Sequence, residues 1–317
     1  MVKKYLVGSM FAGIGGIDLG FQQAGFDIIW ANELNKDAAN TYCYNFGCQH
    51  FVQGDVRKID TAKIPNIDVL VAGFPCQSFS VAGKQRGFSD SRGNLFFEIS
   101  RVVKAKLPKV VFLENVANLL EHDDGKSFLT VYNALVPYGY SFKYMVMDAH
   151  EYGNVPQYRT RIFIVAFLDN EKCEKFKFPE KIELNVTLND IFDRSIQHSS
   201  YYYYNDTNPF YEALKNVVND RTAVYRIYDF GLSKKAYHIC PTLTAYMGKC
   251  QERIPIILDD FGIRRITPYE CLALQGFPKK FRFPKISPES AYTQCGNSVV
   301  VPVIRRIAEN IMKVMLE

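Results

Sequence analysis

The residues of this chain most suggestive of chemistry are Gly73-Phe74-Pro75-Cys76-Gln77. They close an apolar run, Val69-Leu70-Val71-Ala72, with the composition of a buried strand. A cysteine just past a strand end and a proline, with Gln77, Ser78 and Ser80 around it, is not dressed as core. Open α/β sheets put their chemistry at the carboxyl ends of parallel strands. Backbone N–H groups or cations there lower a thiol's pKa and make the thiolate a nucleophile. Free cysteine is also among the most buried residue types, so taken alone the segment fits a core thiol equally well.

A second chemical signal precedes it. Phe11-Ala12-Gly13-Ile14-Gly15-Gly16 lies between a strand-like and a helix-like stretch, where glycines let a ligand approach the backbone and a helix N-terminus. Glu33 follows a second strand and is placed to accept both hydroxyls of a ribose. Asp55, after Val52-Gln53-Gly54, ends a third strand, within reach of an adenine amino group. Each alone also reads as a turn glycine or a helix cap, and the glycine turn by itself suits a nicotinamide dehydrogenase. Three successive sheet ends so equipped point to an adenosine moiety.

The elements that must hold these groups are regular in the first half. Strands are expected over Tyr5–Met10, Asp27–Ala31, Asp68–Ala72, Lys109–Leu113, Tyr144–Asp148 and Ile162–Phe167. Helices fit the stretch through Phe21, then Asp37–Phe46, Leu95–Ala105 and Ser127–Leu135. This alternation predicts an α/β fold, a mostly parallel sheet covered on both faces. From Asn185 to about Tyr292 the pattern gives way to short irregular segments, including the block Tyr201-Tyr202-Tyr203-Tyr204, which fits loop packing and ligand contact equally. Val303, Ile304, Ile307, Ile311, Val314 and Met315 then recur at helical spacing, predicting a terminal helix that packs back on the sheet. The organisation expected is a domain over 1–184, completed by 293–317, with 185–292 inserted before the last helix.

Composition is permissive. The 317 residues are 48% hydrophobic, enough for a large core. No run approaches the ~18 to 20 apolar residues of a membrane span, and Met1-Val2-Lys3-Lys4 opens no signal-like segment. Eight cysteines without paired spacing read as reduced thiols of a cytoplasmic protein, with no metal site. The net charge of +5 is too small to argue nucleic-acid binding alone, and the 14 Lys/Arg against 11 Asp/Glu of residues 185–292 make that segment only mildly basic.

The order of motifs closely resembles one family, the cytosine-5 DNA methyltransferases that use S-adenosylmethionine, in the compact form of bacterial restriction-modification systems. The resemblance rests on Phe11–Gly16, Glu33, Asp55, Gly73–Ser78, Asn94–Glu98, Leu113–Val116 and Gln157–Arg161. It continues through Arg265–Cys271, Gln275–Pro278 and Gly296–Val299. It implies a Rossmann-like methyltransferase domain with a smaller target-recognition domain inserted before the C-terminal helix. It also implies a cofactor site of Phe11, Ala12, Gly13, Gly15, Gly16, Glu33, Asp55, Val56, Gly73, Pro75, Leu95, Asn297, Ser298 and Val299. The tRNA-methylating branch differs around the nucleophile, with a second proline before the cysteine and another after the glutamine. Phe74 and Ser78 here favour double-stranded DNA as partner, with tRNA as the alternative substrate. A monomer is expected, and a cognate restriction endonuclease would act on the same site without a stable complex.

Within that resemblance the residue chemistry is specific. A thiolate adding to carbon 6 of cytosine makes carbon 5 nucleophilic, and Cys76 is assigned that step. Charge then develops toward ring nitrogen 3, where a carboxylic acid can share its proton; Glu114 is the candidate, a helix cap being its bland alternative. Arg159 and Arg161 alternate on an extended segment, and the resemblance favours Arg161 for holding the cytosine carbonyl and orienting Glu114. His122 and His150 read as loop histidines. The stretch 83–93 suits a mobile loop over an extruded base. Gln77, Ser80, Lys84, Arg86, Arg92, Thr242 and Lys249 are the expected DNA contacts. A catalytically silent DNA-binding module is the remaining reading from another class.

Overall fold

The structure, a computed structural model, describes residues 4–74, 95–228, 231–233 and 236–317. Two compact units emerge: Met1–Met147 with Thr160–Glu180 and Val303–Glu317, and Asp148–Arg159 with Lys181–Pro302.

The first unit is built on β1 (Leu6–Met10), α1 (Gly16–Gln23), β2 (Asp27–Glu33), α2 (Lys36–Phe46), β3 (Phe51–Gln53), β4 (Val69–Gly73), α3 (Leu95–Lys106), β5 (Val110–Val116), α4 (Lys126–Leu135) and β6 (Ser141–Asp148). After α5 (Ala149–Tyr152), which groups with the second unit, β7 (Thr160–Phe167) and α6 (Asn170–Lys175) follow. The strands form one seven-stranded sheet in the order β3-β2-β1-β4-β5-β7-β6. The pairs from β3 to β5 are parallel and β7 runs antiparallel to β5. Val69, Leu70, Val71 and Ala72 of central β4 are wholly buried, as expected for a strand covered on both faces. On α3, Phe96, Ile99, Val102 and Val103 form the buried stripe, while Lys104 and Lys106 lie in its last turn, where cations oppose the helix dipole. The chain leaves β1 toward β2 and β3, then returns to place β4 on the other side of β1. That reversal is a topological switch point, where ligands of open α/β sheets bind.

The second unit adds α7 (Leu188–Ile191), α8 (Tyr211–Val217), β8 (Ile227–Tyr228), β9 (Gly231–Leu232), β10 (Ile256–Asp259), β11 (Gly262–Arg265), α9 (Pro268–Leu274) and α10 (Pro288–Asn297). The last helix, α11 (Val301–Leu316), lies almost wholly in the first unit, and Tyr5 donates a hydrogen bond to its Met315 carbonyl. Alongside a small apolar cluster, the second unit buries a polar triad. Arg264, wholly inaccessible, donates to Asp259 at 2.6 Å and grips both oxygens of Glu270 at 2.7 and 2.8 Å. Glu270 also closes a capping box with Thr267 at the start of α9. The tyrosine block proves to be packing. Tyr201 donates to Glu289, Tyr203 donates to Asp259, Tyr204 is buried, and the Arg265 guanidinium lies over the rings of Tyr201 and Tyr204.

The grouping differs from 1–184 plus 293–317 in two stretches. Residues 148–159 and 293–302 group with the second unit, because Gln157 and Arg159 bond to the chain around Leu243, Leu274 and Gly296. In that unit α10 passes so close to the turn Ala245–Gly248 that a Cβ on Gly296 would lie 2.1 Å from the Ala245 nitrogen. Replacing Gly296 by alanine should therefore destabilise the protein by about 3 kcal/mol through overpacking against backbone, read as a lowered melting temperature.

Candidate active site

The turn after β1 is a tight loop. Phe11 and Gly13 adopt positive φ, and Gly15, at φ 85°, caps α1 with no side chain on its open N–H groups. A Cβ on Gly15 would lie 2.4 Å from the Phe46 ring, so glycine is required there twice over, by φ and by space. Glu33 ties the turn to its neighbour: one carboxylate oxygen accepts from the Gly13 N–H at 2.9 Å, the other from Asn35 at 2.8 Å. Buried Asn32, which sequence reasoning missed, braces the same corner. Its carbonyl accepts from Ala12 and its amide donates to the carbonyls of Val52 and Gly54. In front of Gly13 and of Gly54 the space is open, with no protein atom within 4 Å of an added Cβ. A backbone cradle with open approach and a part-exposed carboxylate beside it fits an adenosine cofactor.

Asp55 has local work as well. It caps the turn Val56–Lys58 and pairs with Arg57 at 2.5 Å, and that guanidinium holds its carboxyl below the usual carboxylate range. Val56 is buried, and its carbonyl accepts from Arg101 at 2.9 Å. Leu95 opens α3 and leans on the core.

On the other side of the switch point, the parallel register sets Gly73 of β4 against Glu114 of β5. Glu114 stands inside β5, which runs on to Val116 rather than ending at Leu113 as the sequence suggested. Its carboxylate is 3.4 Å from where a Gly73 Cβ would be, so a bare glycine leaves it room. The next residue, Asn115, is buried and donates to the Phe74 carbonyl at 3.0 Å, fixing the backbone as it enters Pro75. Its signal in the sequence was a polar residue in an apolar strand.

Arg161 of β7 meets Glu114 at 3.1 Å, with both side chains largely buried. The antiparallel register pairs Glu114 with Phe163, so Arg161 reaches it as a diagonal neighbour on the same face. Arg159 departs from the expected shared face, since β7 begins only at Thr160. Its buried guanidinium donates to the carbonyls of Leu243, Gly296 and Ser298. It thus fixes the turn carrying Asn297, Ser298 and Val299, of which Asn297 is exposed and the other two buried. Thr242 donates to the Tyr158 carbonyl at 2.7 Å, and Lys249 is exposed. His150 pairs with Asp148 and His122 with Ser127, local partners that fit loop histidines. Pro75, Cys76, Gln77, Ser80, Lys84, Arg86 and Arg92 lie outside the described residues, as does the loop 83–93. Among the described residues no cluster of metal-ligating side chains occurs, and no helix is long and apolar enough to cross a membrane.

Comparison with known proteins bears on this arrangement. The family model "C-5 cytosine-specific DNA methylase" matches residues 5–313. The chain is 46% identical to the Type II methyltransferase M.Bsp6I of Bacillus sp. (strain RFL6), over 98% of this chain and 99% of that protein. It is 36% identical to the Type II methyltransferase M.HhaI of Haemophilus parahaemolyticus, over 95% of this chain and 92% of that one. Among solved structures, a putative DNA modification methyltransferase encoded within a prophage of E. coli superposes with a TM-score of 0.73 at 25% identity, covering 99% of this chain and all of that one. With a seven-stranded, mostly parallel sheet and its motifs matched from end to end, the chain belongs to the C-5 cytosine-specific DNA methylase family.

Proposed function

We propose that this enzyme is a sequence-specific DNA methyltransferase that modifies carbon 5 of a flipped-out cytosine through a covalent Cys76 adduct. The observation that carries the reading is the register of Gly73 against Glu114, with Arg161 on the carboxylate. It sets the candidate acid beside the strand end from which the chain runs, three residues on, to Cys76.

The Cys76 thiolate forms a bond to carbon 6 of the cytosine. Ring electrons move toward nitrogen 3, where Glu114 supplies the proton. Arg161 orients that carboxyl and offers N–H donors to the cytosine carbonyl oxygen. When bound, S-adenosylmethionine supplies a methyl group on a sulfonium, and carbon 5 takes it. Loss of the carbon 5 proton then expels the thiolate. The turn Phe11–Gly16 and Glu33 are the residues of the first unit that would hold the cofactor, with Asp55, Val56, Gly73 and Leu95 around them. Asn297, Ser298 and Val299 would contribute from the second unit. That unit is the proposed target-recognition domain, and Arg159 a residue that shapes it. Base extrusion is required because the reacting carbons are stacked inside the duplex. The names of the bacterial relatives support a restriction-modification setting, in which a cytoplasmic monomer modifies sites shared with an endonuclease.

Bisulfite sequencing of DNA from cells expressing the protein should show cytosines protected within one short recognition sequence. Unprotected DNA from such cells, together with labelling of tRNA by the purified enzyme, would overturn the choice of substrate.

A further inference from the structure

Asp18 stands in the first turn of α1 and is wholly buried. A lone carboxylate in a protein interior is strongly unfavourable, so its presence there calls for a reason. The Ser9 hydroxyl of β1 and the Tyr42 hydroxyl of α2 lie beside it, yet neither makes a well-aligned hydrogen bond to a carboxyl oxygen. Tyr42 packs on Phe46 with ring centroids 4.7 Å apart, and Phe46 is the ring that abuts Gly15. Asp18, Tyr42, Phe46 and Gly15 therefore form a chain of contacts behind the glycine turn. Ser9 lies in the strand that enters that turn, and Asp18 in the helix that leaves it.

We propose that Asp18 is a positioning residue for this turn: through Ser9 and Tyr42 its carboxyl ties together β1, α1 and α2, and so sets how tightly S-adenosylmethionine is held. The proposal rests on reading the turn as the cofactor site. The ionised carboxylate accepts from both hydroxyls, whereas the neutral acid gives up one acceptor position to its own proton.

Burial lifts the Asp18 carboxyl to about 6, with Ser9 and Tyr42 pulling the other way. The ionisable groups set near it are Tyr42 and, beside Tyr42, Cys43, both pushed up by burial and so neutral at physiological pH. Arg305 of α11, whose backbone approaches Gly20, points its guanidinium outward to Glu309. The neighbours Ile17, Phe21 and Ile304 are apolar. The sign follows. The folded-state value lies above the unfolded one, so folding favours the protonated form. The carboxyl's stabilising contribution is full at acid pH and is lost as pH rises through about 6.

Two measurements on the full chain test this. Calorimetric titration with S-adenosylmethionine should give several-fold tighter binding at pH about 7.5 than at about 5.5 in the wild type, and no such difference in Asp18→Asn. Asp18→Asn should also melt higher than the wild type at the higher pH, where it removes a buried charge, but not at the lower one. Tyr42→Phe keeps the carboxyl and removes one donor, and should move the transition in affinity to higher pH. An Asp18→Asn chain that retains the wild-type pH dependence, or melts lower at both pH values, overturns the proposal alone. A wild-type chain that binds no S-adenosylmethionine at either pH overturns the cofactor reading and this proposal with it.

Discussion

Replacing Cys76 by alanine should abolish methyl transfer to duplex DNA, lowering the rate by at least ~10,000-fold, as when other enzymes lose their nucleophile. The size follows from the chemistry. Carbon 5 of cytosine is not nucleophilic enough to take a methyl group unless carbon 6 first gains a substituent that donates its electron pair to the ring. No neighbouring oxygen or nitrogen substitutes for a thiolate, which is both strongly nucleophilic and a good leaving group. Cofactor binding should survive, because the glycine turn and Glu33 are assembled by β1, α1 and β2. DNA carrying 5-fluorocytosine gives a second readout. Fluorine at carbon 5 cannot leave as a proton, so the wild type should remain bonded to the oligonucleotide through Cys76 and the alanine variant should not. Tritium transfer from labelled cofactor at the wild-type rate in Cys76→Ala would overturn the mechanism.

Much of the fold was legible in the sequence because a parallel sheet covered on both faces leaves a strong trace. Val69–Ala72 and Val110–Leu113 are unbroken apolar runs, and α3 and α11 repeat their buried residues at helical spacing. The candidate site was legible for a related reason. In such sheets reactive groups cluster at strand ends, and a strand end is recognisable as the place where an apolar run meets glycine, proline or acid. Reading Glu114 as the end of its strand was one step short, because an isolated polar residue in the interior of a strand looks like a terminus.

What the sequence hid depends on register and on distant partners. Arg159 and Arg161 look alike two residues apart. The antiparallel pairing of β7 with β5 decides that Arg161 faces Glu114, and such pairing is a tertiary property. The four tyrosines of 201–204 could not be read because their partners, Asp259, Arg265 and Glu289, lie more than fifty residues away. The second unit relies on the Arg264, Asp259 and Glu270 triad as well as on an apolar cluster. A buried polar network has no hydrophobic periodicity, so its residues pass for surface charges.

The pairing of Glu114 with Arg161 leads to the other large expected effect, in which activity and stability separate. Glu114→Gln is nearly isosteric but cannot deliver an ionisable proton to nitrogen 3, so kcat should fall about 100- to 10,000-fold. Its stability should change little, since the amide oxygen still accepts from Arg161. Arg161→Ala leaves the Glu114 carboxylate in a largely buried site without its cation, and should cost about 3 kcal/mol of stability. Loss of the cation also makes the carboxyl easier to protonate, so any residual activity of Arg161→Ala should persist to higher pH than that of the wild type. The double variant Glu114→Gln/Arg161→Ala distinguishes the two roles, because it no longer strands a charge. It should recover part of the stability lost in Arg161→Ala while remaining as inactive as Glu114→Gln, which a double-mutant cycle in denaturant and in turnover would register. If Glu114→Gln turned over at the wild-type rate, the carboxyl would be a strut for Arg161 and the proton would have to reach nitrogen 3 by another route.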